Sequence, residues 1–210
     1  MSITIIIAVL TVVVSIAGFY NQKVVDDLIF TPPAITNRNQ WYRFFSCALV
    51  HADIPHLAFN MIAFYSFGEA VENAFIELFG SRGTILYILL YTVSQFLCLF
   101  PTYLKNKENY YYRSLGASGA VSAVIFAGIM LFPLTKIYLF FIPIGIPGFI
   151  FGFLYLGVTY YLDRKGGSNI NHSAHLFGGL AGIILLLVFS FSFSNYDVIG
   201  NFLSQIRDFI

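Results

Sequence analysis

Six stretches of this 210-residue chain are apolar for most of a bilayer's depth, and that fact constrains the fold more than any motif. A helix needs about 20 mostly apolar residues to cross the hydrocarbon, where every backbone polar group must be paired inside the element. The stretches cover residues 3–20, 55–79, 83–104, 116–132, 148–162 and 174–193, the fourth and fifth being short. The first carries no charge. It lacks both a basic lead-in and a small-x-small cleavage signal, so it reads as a span rather than a leader. Hydrophobic residues make up 58% of the chain and charged residues 10%, where soluble domains have roughly 25% charged. The expectation is one all-α, polytopic integral membrane domain over residues 1–210, without repeats. A net charge of +1 offers no basic surplus for a nucleic-acid partner. Cys47 and Cys98 are too few for a disulfide framework or a zinc knuckle.

The connections differ in kind. Residues 21–54 form a long first loop containing Pro32, Pro33 and Trp41. Its end, with Tyr42, Phe44, Phe45, Leu49 and Val50, is apolar enough to lie in the membrane interface. Loops 105–115 and 163–173 are polar. The apolar stretch 137–147 is interrupted by Pro143 and Pro147 and reads as an interfacial loop. The tail 195–210 fits a short surface helix, with Val198, Phe202, Ile206 and Phe209 loosely on one face.

Strongly polar side chains inside spans are costly, so each is a functional candidate. Six stand out: His56, Asn60, Glu69, Glu72, Ser118 and His175. His56 and Asn60 open the second span, Ser118 the fourth and His175 the sixth. Alternate spans begin on the same side of the membrane, so these four residues share one depth, a turn or two below one surface. His56 and Asn60, four apart, share a helix face and can both donate to a developing negative charge. Ser118 lies between Gly116 and Gly119 at a helix start, where its hydroxyl is exposed and backbone N–H groups are unpaired. That is a setting for a nucleophile beside an oxyanion hole. Gly119, Ala123 and Ala127 form a small-residue stripe, and Gly178 and Gly182 form another just after His175. If the two stripes meet, His175 reaches Ser118 and can act as its general base. No carboxylate lies at that depth, so the chemistry is that of a Ser–His dyad.

The ordered motifs His51-x4-His56-Leu-x2-Asn60-Met61, Phe67-Gly68-x3-Glu72, Gly116-Ala-Ser118-Gly119 and Ala174-His175-x2-Gly178-x3-Gly182 resemble the rhomboid family of intramembrane serine proteases. The resemblance runs from about Trp41 to about Gly182. It implies a six-transmembrane-helix bundle that cuts the transmembrane segments of other membrane proteins, with no cofactor and no metal. Ser118 would be the nucleophile and His175 the base. His56, Asn60 and the Ser118 backbone N–H would form the oxyanion hole. Arg43 and Glu72 match residues read as structural, holding the first loop and the helix ends. Gly116, Gly119, Gly178 and Gly182 would let the chain segments approach. The fifth span and loop 163–173 would form a lateral gate and cap. Two positions depart from the pattern: Ser122 stands where the family often has an aromatic packed on the catalytic histidine, and Tyr42 precedes Arg43 where a tryptophan is expected.

The absence of a soluble N-terminal domain or targeting peptide suggests a minimal bacterial form, placed in the inner membrane. Loops one, three and five carry eight Lys and Arg against three on the opposite side. By the positive-inside rule the active-site face would then be cytoplasmic. The resemblance implies the reverse, and the rule is weaker for long structured loops. Three rivals are a catalytically inactive relative that binds membrane clients, a metal-binding protein using His51, His56, His172 and His175, and a small transporter.

Overall fold

The computed structural model describes residues 1–139, 142–167 and 170–210. The chain is mostly helical. The apolar stretches fold as α1 (Ile3–Tyr20), α5 (Ile54–Phe79), α6 (Gly83–Asn106), α7 (Ser118–Leu131), α8 (Gly148–Lys165) and α9 (His172–Phe193). Among the described residues, three helical runs are long and apolar enough to cross a membrane: Ile3–Tyr20, Ile54–Asn106 and His172–Phe193. The second is α5 and α6 joined through a 3₁₀ turn, Gly80–Arg82, and the two helices pack on each other.

The surface is apolar, as lipid demands. On α1 the buried residues are Thr4, Thr11, Ser15 and Gly18, whereas Val9 and Val13 are 53% and 59% exposed. A water-facing helix would turn the other way round. In lipid, tail-like side chains gain nothing by burial, and small or polar residues make the helix contacts.

The centre of the bundle is α7. Eleven of its 14 residues are buried, and it packs on α5, α6 and α9. At about 1.5 Å per residue it covers about 21 Å, less than the roughly 30 Å of hydrocarbon. Its N-terminal end is recessed. Gly119 packs against Cys98 of α6, and α6 continues past that point to Asn106. Those eight further residues carry α6 about 12 Å beyond the start of α7.

Two expectations about the connections need correction, and a third holds: the tail is helical. The first loop is folded into α2 (Gln22–Leu28), α3 (Pro32–Arg38) and α4 (Arg43–Ser46). Phe44 of α4 is fully buried against Phe30, Trp41, Phe96 and Tyr103, so aromatic stacking anchors this region inside the protein. The stretch read as an interfacial loop forms a hairpin of β1 (Lys136–Leu139) and β2 (Ile142–Pro147), antiparallel, with Ile137 opposite Ile146. Its prolines do rule out helix, but a two-stranded hairpin is all edge and tolerates them. The fold is therefore not purely α; residues 140–141 of that stretch lie outside the described residues. The tail contains α10 (Val198–Phe209), with Val198 buried and Leu203 exposed.

Candidate active site

The site is built around the turn that enters α7. Gly116 has φ +109°, a conformation open to glycine, and a Cβ there would stand 2.8 Å from His56 Cε1. Its N–H donates to the Cys47 carbonyl at 2.9 Å. The next N–H, of Ala117, donates to His51 Nε2 at 3.4 Å. With Nε2 accepting, His51 carries its proton on Nδ1 and donates to Ser15 Oγ at 2.9 Å, and Ser15 passes its own proton to the Leu49 carbonyl at 2.8 Å. One chain of hydrogen bonds thus runs from α1 to the residue before Ser118. His51 and His56 meet edge to face, 4.9 Å between centroids. His56 itself is fixed by Asp53, which caps α5 by accepting from the His56 N–H at 2.7 Å.

His51 had entered the sequence argument only as a motif position and as a metal ligand in a rival reading. Its neutral ring is required for the bond to Ala117. Burial pushes His51 down to about 3, with His56 acting in the same direction and Asp53 against it. The folded-state value lies below the ordinary 6.5, so between about 6.5 and about 3 the unfolded chain binds the extra proton. Stability contributed here is full above that window and falls as pH drops through it, by up to about 1.4 kcal/mol per pH unit. The thermal midpoint of the purified protein should therefore fall as pH is lowered between those limits, and His51→Gln should flatten that part of the curve. Parallel curves for wild type and variant would show that His51 does not set it.

The start of α9 lies directly beside this turn. A Cβ on Gly178 would fall on the Gly119 carbonyl oxygen, and one on Gly182 would stand 2.6 Å from Ala123 Cα. The two helix backbones touch along the paired small residues. Gly119 also approaches the Ala174 carbonyl, 3.4 Å from where its Cβ would be. Ser118 and His175 flank that contact, each half-buried. No direct hydrogen bond joins their side chains; catalytic hydrogen bonds are often long without substrate and tighten when it binds. Asn171 caps α9, accepting from the Ala174 N–H at 3.0 Å, and its side chain is tied to Thr102 of α6. Asn60 is buried on α5 and spends one amide proton on the His56 carbonyl at 2.9 Å; Nδ2 carries a second.

His175 is held from a direction the sequence did not indicate. Tyr155 of α8 lies parallel to the imidazole, 5° between planes and 6.4 Å between centroids, with its hydroxyl 3.2 Å from Nδ1. The same hydroxyl is 2.8 Å from Ser122 Oγ of α7. Phe126 and Phe151 pack on the tyrosine ring.

The remaining candidates lie elsewhere. Glu72 is buried at the far end of α5. It accepts from the N–H groups of Ile3 and Thr4 at 2.7 and 2.9 Å and from Thr4 Oγ1, closing the start of α1; Glu69 accepts from Ser2 Oγ. A carboxylate at a helix N-terminus satisfies unpaired donors and favours the dipole. Arg43, also buried, donates through Nη1 to the carbonyls of Ile29 and Asp26 and through Nε to Gln40, tying α2 into the first loop. His172 and His175 lie 6.3 Å apart. Among the described residues no three His, Cys, Asp or Glu side chains come together as a metal-ligand set. Of the loop expected to cap the site, residues 168–169 lie outside the described residues.

A helical membrane bundle with a serine at the recessed start of its central helix, backed by a histidine on a glycine-paired neighbour, defines a class. The family model for the rhomboid domain matches residues 38–192, and the chain belongs to that family. It is 32% identical over 150 residues to RHOMBOID-like protein 12, mitochondrial, of Arabidopsis thaliana, covering 65% of this chain and 43% of that protein. It is 28% identical over 145 residues to rhomboid protease GluP of Bacillus subtilis, 69% of this chain and 25% of that one. With Rhomboid-like protein 15 of Arabidopsis thaliana it shares 27% over 179 residues, 81% and 41% of the two chains. The chain thus spans less than half the length of these relatives.

Proposed function

We propose that this protein is an intramembrane serine endopeptidase that hydrolyses peptide bonds in the transmembrane segments of other membrane proteins. In this reading α1 and α5 to α9 all cross the bilayer. The observation that carries it is the backbone contact of α7 with α9, which sets the first turns holding Ser118 and His175 side by side in a recess below the end of α6. Ser118 Oγ attacks the scissile carbonyl and its proton passes to His175 Nε2. The tetrahedral oxyanion is met by the Ser118 N–H, His56 and the second Asn60 proton. Collapse of the intermediate returns the proton from His175 to the leaving amine, and water then releases the acyl group by the same route. Depth in the membrane selects the substrate: only a chain already in the bilayer, and able to unwind there, brings a bond to the recess. That GluP is named a rhomboid protease supports the reading.

The deciding experiment incubates purified protein with a model transmembrane substrate. Cleavage by wild type and none by Ser118→Ala is expected. A second reading is a binder of membrane clients that does not cut. The names of the two Arabidopsis relatives, rhomboid-like rather than protease, favour it, and capture of an intact substrate by wild type would establish it.

The active-site face is assigned to the non-cytoplasmic side, consistent with a bacterial inner-membrane enzyme. Asn109, in the turn after α6, and Ser81, between α5 and α6, are exposed at opposite ends of the bundle. A cysteine at Asn109 should react with an impermeant thiol reagent in intact cells, and one at Ser81 only after lysis. Cys47 and Cys98 are buried and contribute no background. The reverse pattern would place the site in the cytoplasm, in line with the eight Lys and Arg on that face.

A further inference from the structure

We infer that Tyr155 and Ser122 are positioning residues: together they fix the ring plane and the tautomer of His175. The inference rests on the serine-protease reading and concerns which nitrogen is basic. For Ser118 to lose its proton to His175, Nε2 must present a lone pair, so the neutral ring must carry its hydrogen on Nδ1. The atom facing Nδ1 is the Tyr155 hydroxyl, at 3.2 Å. A phenol can donate or accept there, and only accepting is compatible with catalysis. Donation to Nδ1 would drive the proton to Nε2 and remove the base.

Ser122 decides between the two. Its Oγ lies 2.8 Å from the Tyr155 hydroxyl, closer than the imidazole does. A phenol, with an ordinary pKa near 10, is a far better donor than an aliphatic alcohol, so the tyrosine proton goes to Ser122. The phenol oxygen then turns its lone pairs to His175, and the direction of the relay is Nδ1–H to Tyr155, Tyr155 O–H to Ser122. When Nε2 takes the proton from Ser118, the imidazolium still donates to the same oxygen, so nothing reorganises in the reacting state. The two rings lie nearly parallel, 5° between planes, so the Nδ1 contact lies close to the imidazole plane, and Phe126 and Phe151 hold the tyrosine.

The two residues that make up this device are coupled. A serine at 122 leaves the space beside His175 to be filled from another helix, and the tyrosine that fills it belongs to α8. That helix buries few of its residues, Gly148, Gly152 and Thr159. The base is thus oriented by the least embedded of the central helices, and displacement of α8 would release it.

The test compares wild type with Tyr155→Phe, Ser122→Ala and the double variant, with Tyr161→Phe on the exposed side of α8 as control. Tyr155→Phe keeps the ring and removes the acceptor. It should lower kcat on the order of 10-fold or more, the scale of losing the orienting partner of a functional histidine, and leave KM unchanged. Ser122→Ala should lower kcat in the same sense, and the double variant should be no worse than Tyr155→Phe. Nitrogen-15 shifts of the His175 imidazole should report one tautomer, Nδ1–H, in wild type and a mixture in Tyr155→Phe. This readout needs no turnover, so it separates failure here from failure of the protease reading. An unchanged tautomer, or kcat within twofold of wild type in Tyr155→Phe, overturns the inference, as does an Nε2–H ring in wild type. Should Tyr155→Phe fold poorly, the tautomer in Ser122→Ala, where the tyrosine remains, decides alone.

Discussion

Ser118→Ala and His175→Ala are each expected to reduce cleavage of a transmembrane substrate to background, and the double variant to be no slower than either single one. In the serine-protease reading the two side chains do one job. An unassisted serine hydroxyl is a poor nucleophile near neutrality, and a histidine without it has nothing to activate. Removing either removes the covalent route, so the second substitution has nothing left to take away. Additive losses would mean two independent roles. Turnover by Ser118→Ala above background would sink the serine mechanism. Chelators should leave the rate unchanged, and a serine-directed covalent probe should label wild type and not Ser118→Ala. A protein that binds substrate tightly, resists the probe and never cuts is the outcome expected of the client-binding alternative.

Much of this was readable from residue order because the membrane narrows the choices. An apolar run of bilayer length has little option but helix, so α1, α5, α6 and α9 follow from hydropathy alone. Parity of the helices put Ser118, His175, His56 and Asn60 at one level, and the glycine stripes indicated which helices touch. The same polarity search returned Glu69 and Glu72, which lie at the opposite end of α5 around the start of α1. Expense in lipid marks a residue as important without saying at which end it acts. The hairpin after α7 was missed because a short apolar run broken by proline has no period that separates loop from strand. Tyr155 was missed for a different reason: α8 is rich in aromatic residues, and nothing in the local sequence distinguishes the one that turns inward from Tyr160 and Tyr161, which stay exposed. The only available signal was a gap, Ser122, and a gap does not say what fills it. His51 was in view as part of a motif, but its bond to the Ala117 N–H spans the chain from the first loop to α7 and no spacing rule reaches that far.

The second large effect is expected at a residue with no chemistry. Gly182 lies two turns from His175 on α9, and any side chain there runs into the Ala123 backbone of α7. Ordinary van der Waals contact needs 3.4 Å or more, against 2.6 Å from a Cβ to Ala123 Cα, so Gly182→Val must push the helices apart. Two losses follow from one movement. In lipid there is no hydrophobic drive between helices, and close backbone packing is a main source of their association, so the thermal midpoint should fall. The same displacement opens the contact that sets Ser118 beside His175. A misplacement of about 1 Å can cost on the order of 10²-fold in rate, so kcat should drop by that order while KM, set at the substrate's own contacts, changes little. Gly157→Ala is the control: a Cβ there meets nothing within 4 Å, and both stability and rate should hold. If Gly182→Val does not fold, Gly182→Ala, which intrudes by one methyl, should show the same pairing of losses in smaller measure. Full activity in a destabilised Gly182→Ala would mean that the helix contact supports the fold without setting the distance between nucleophile and base.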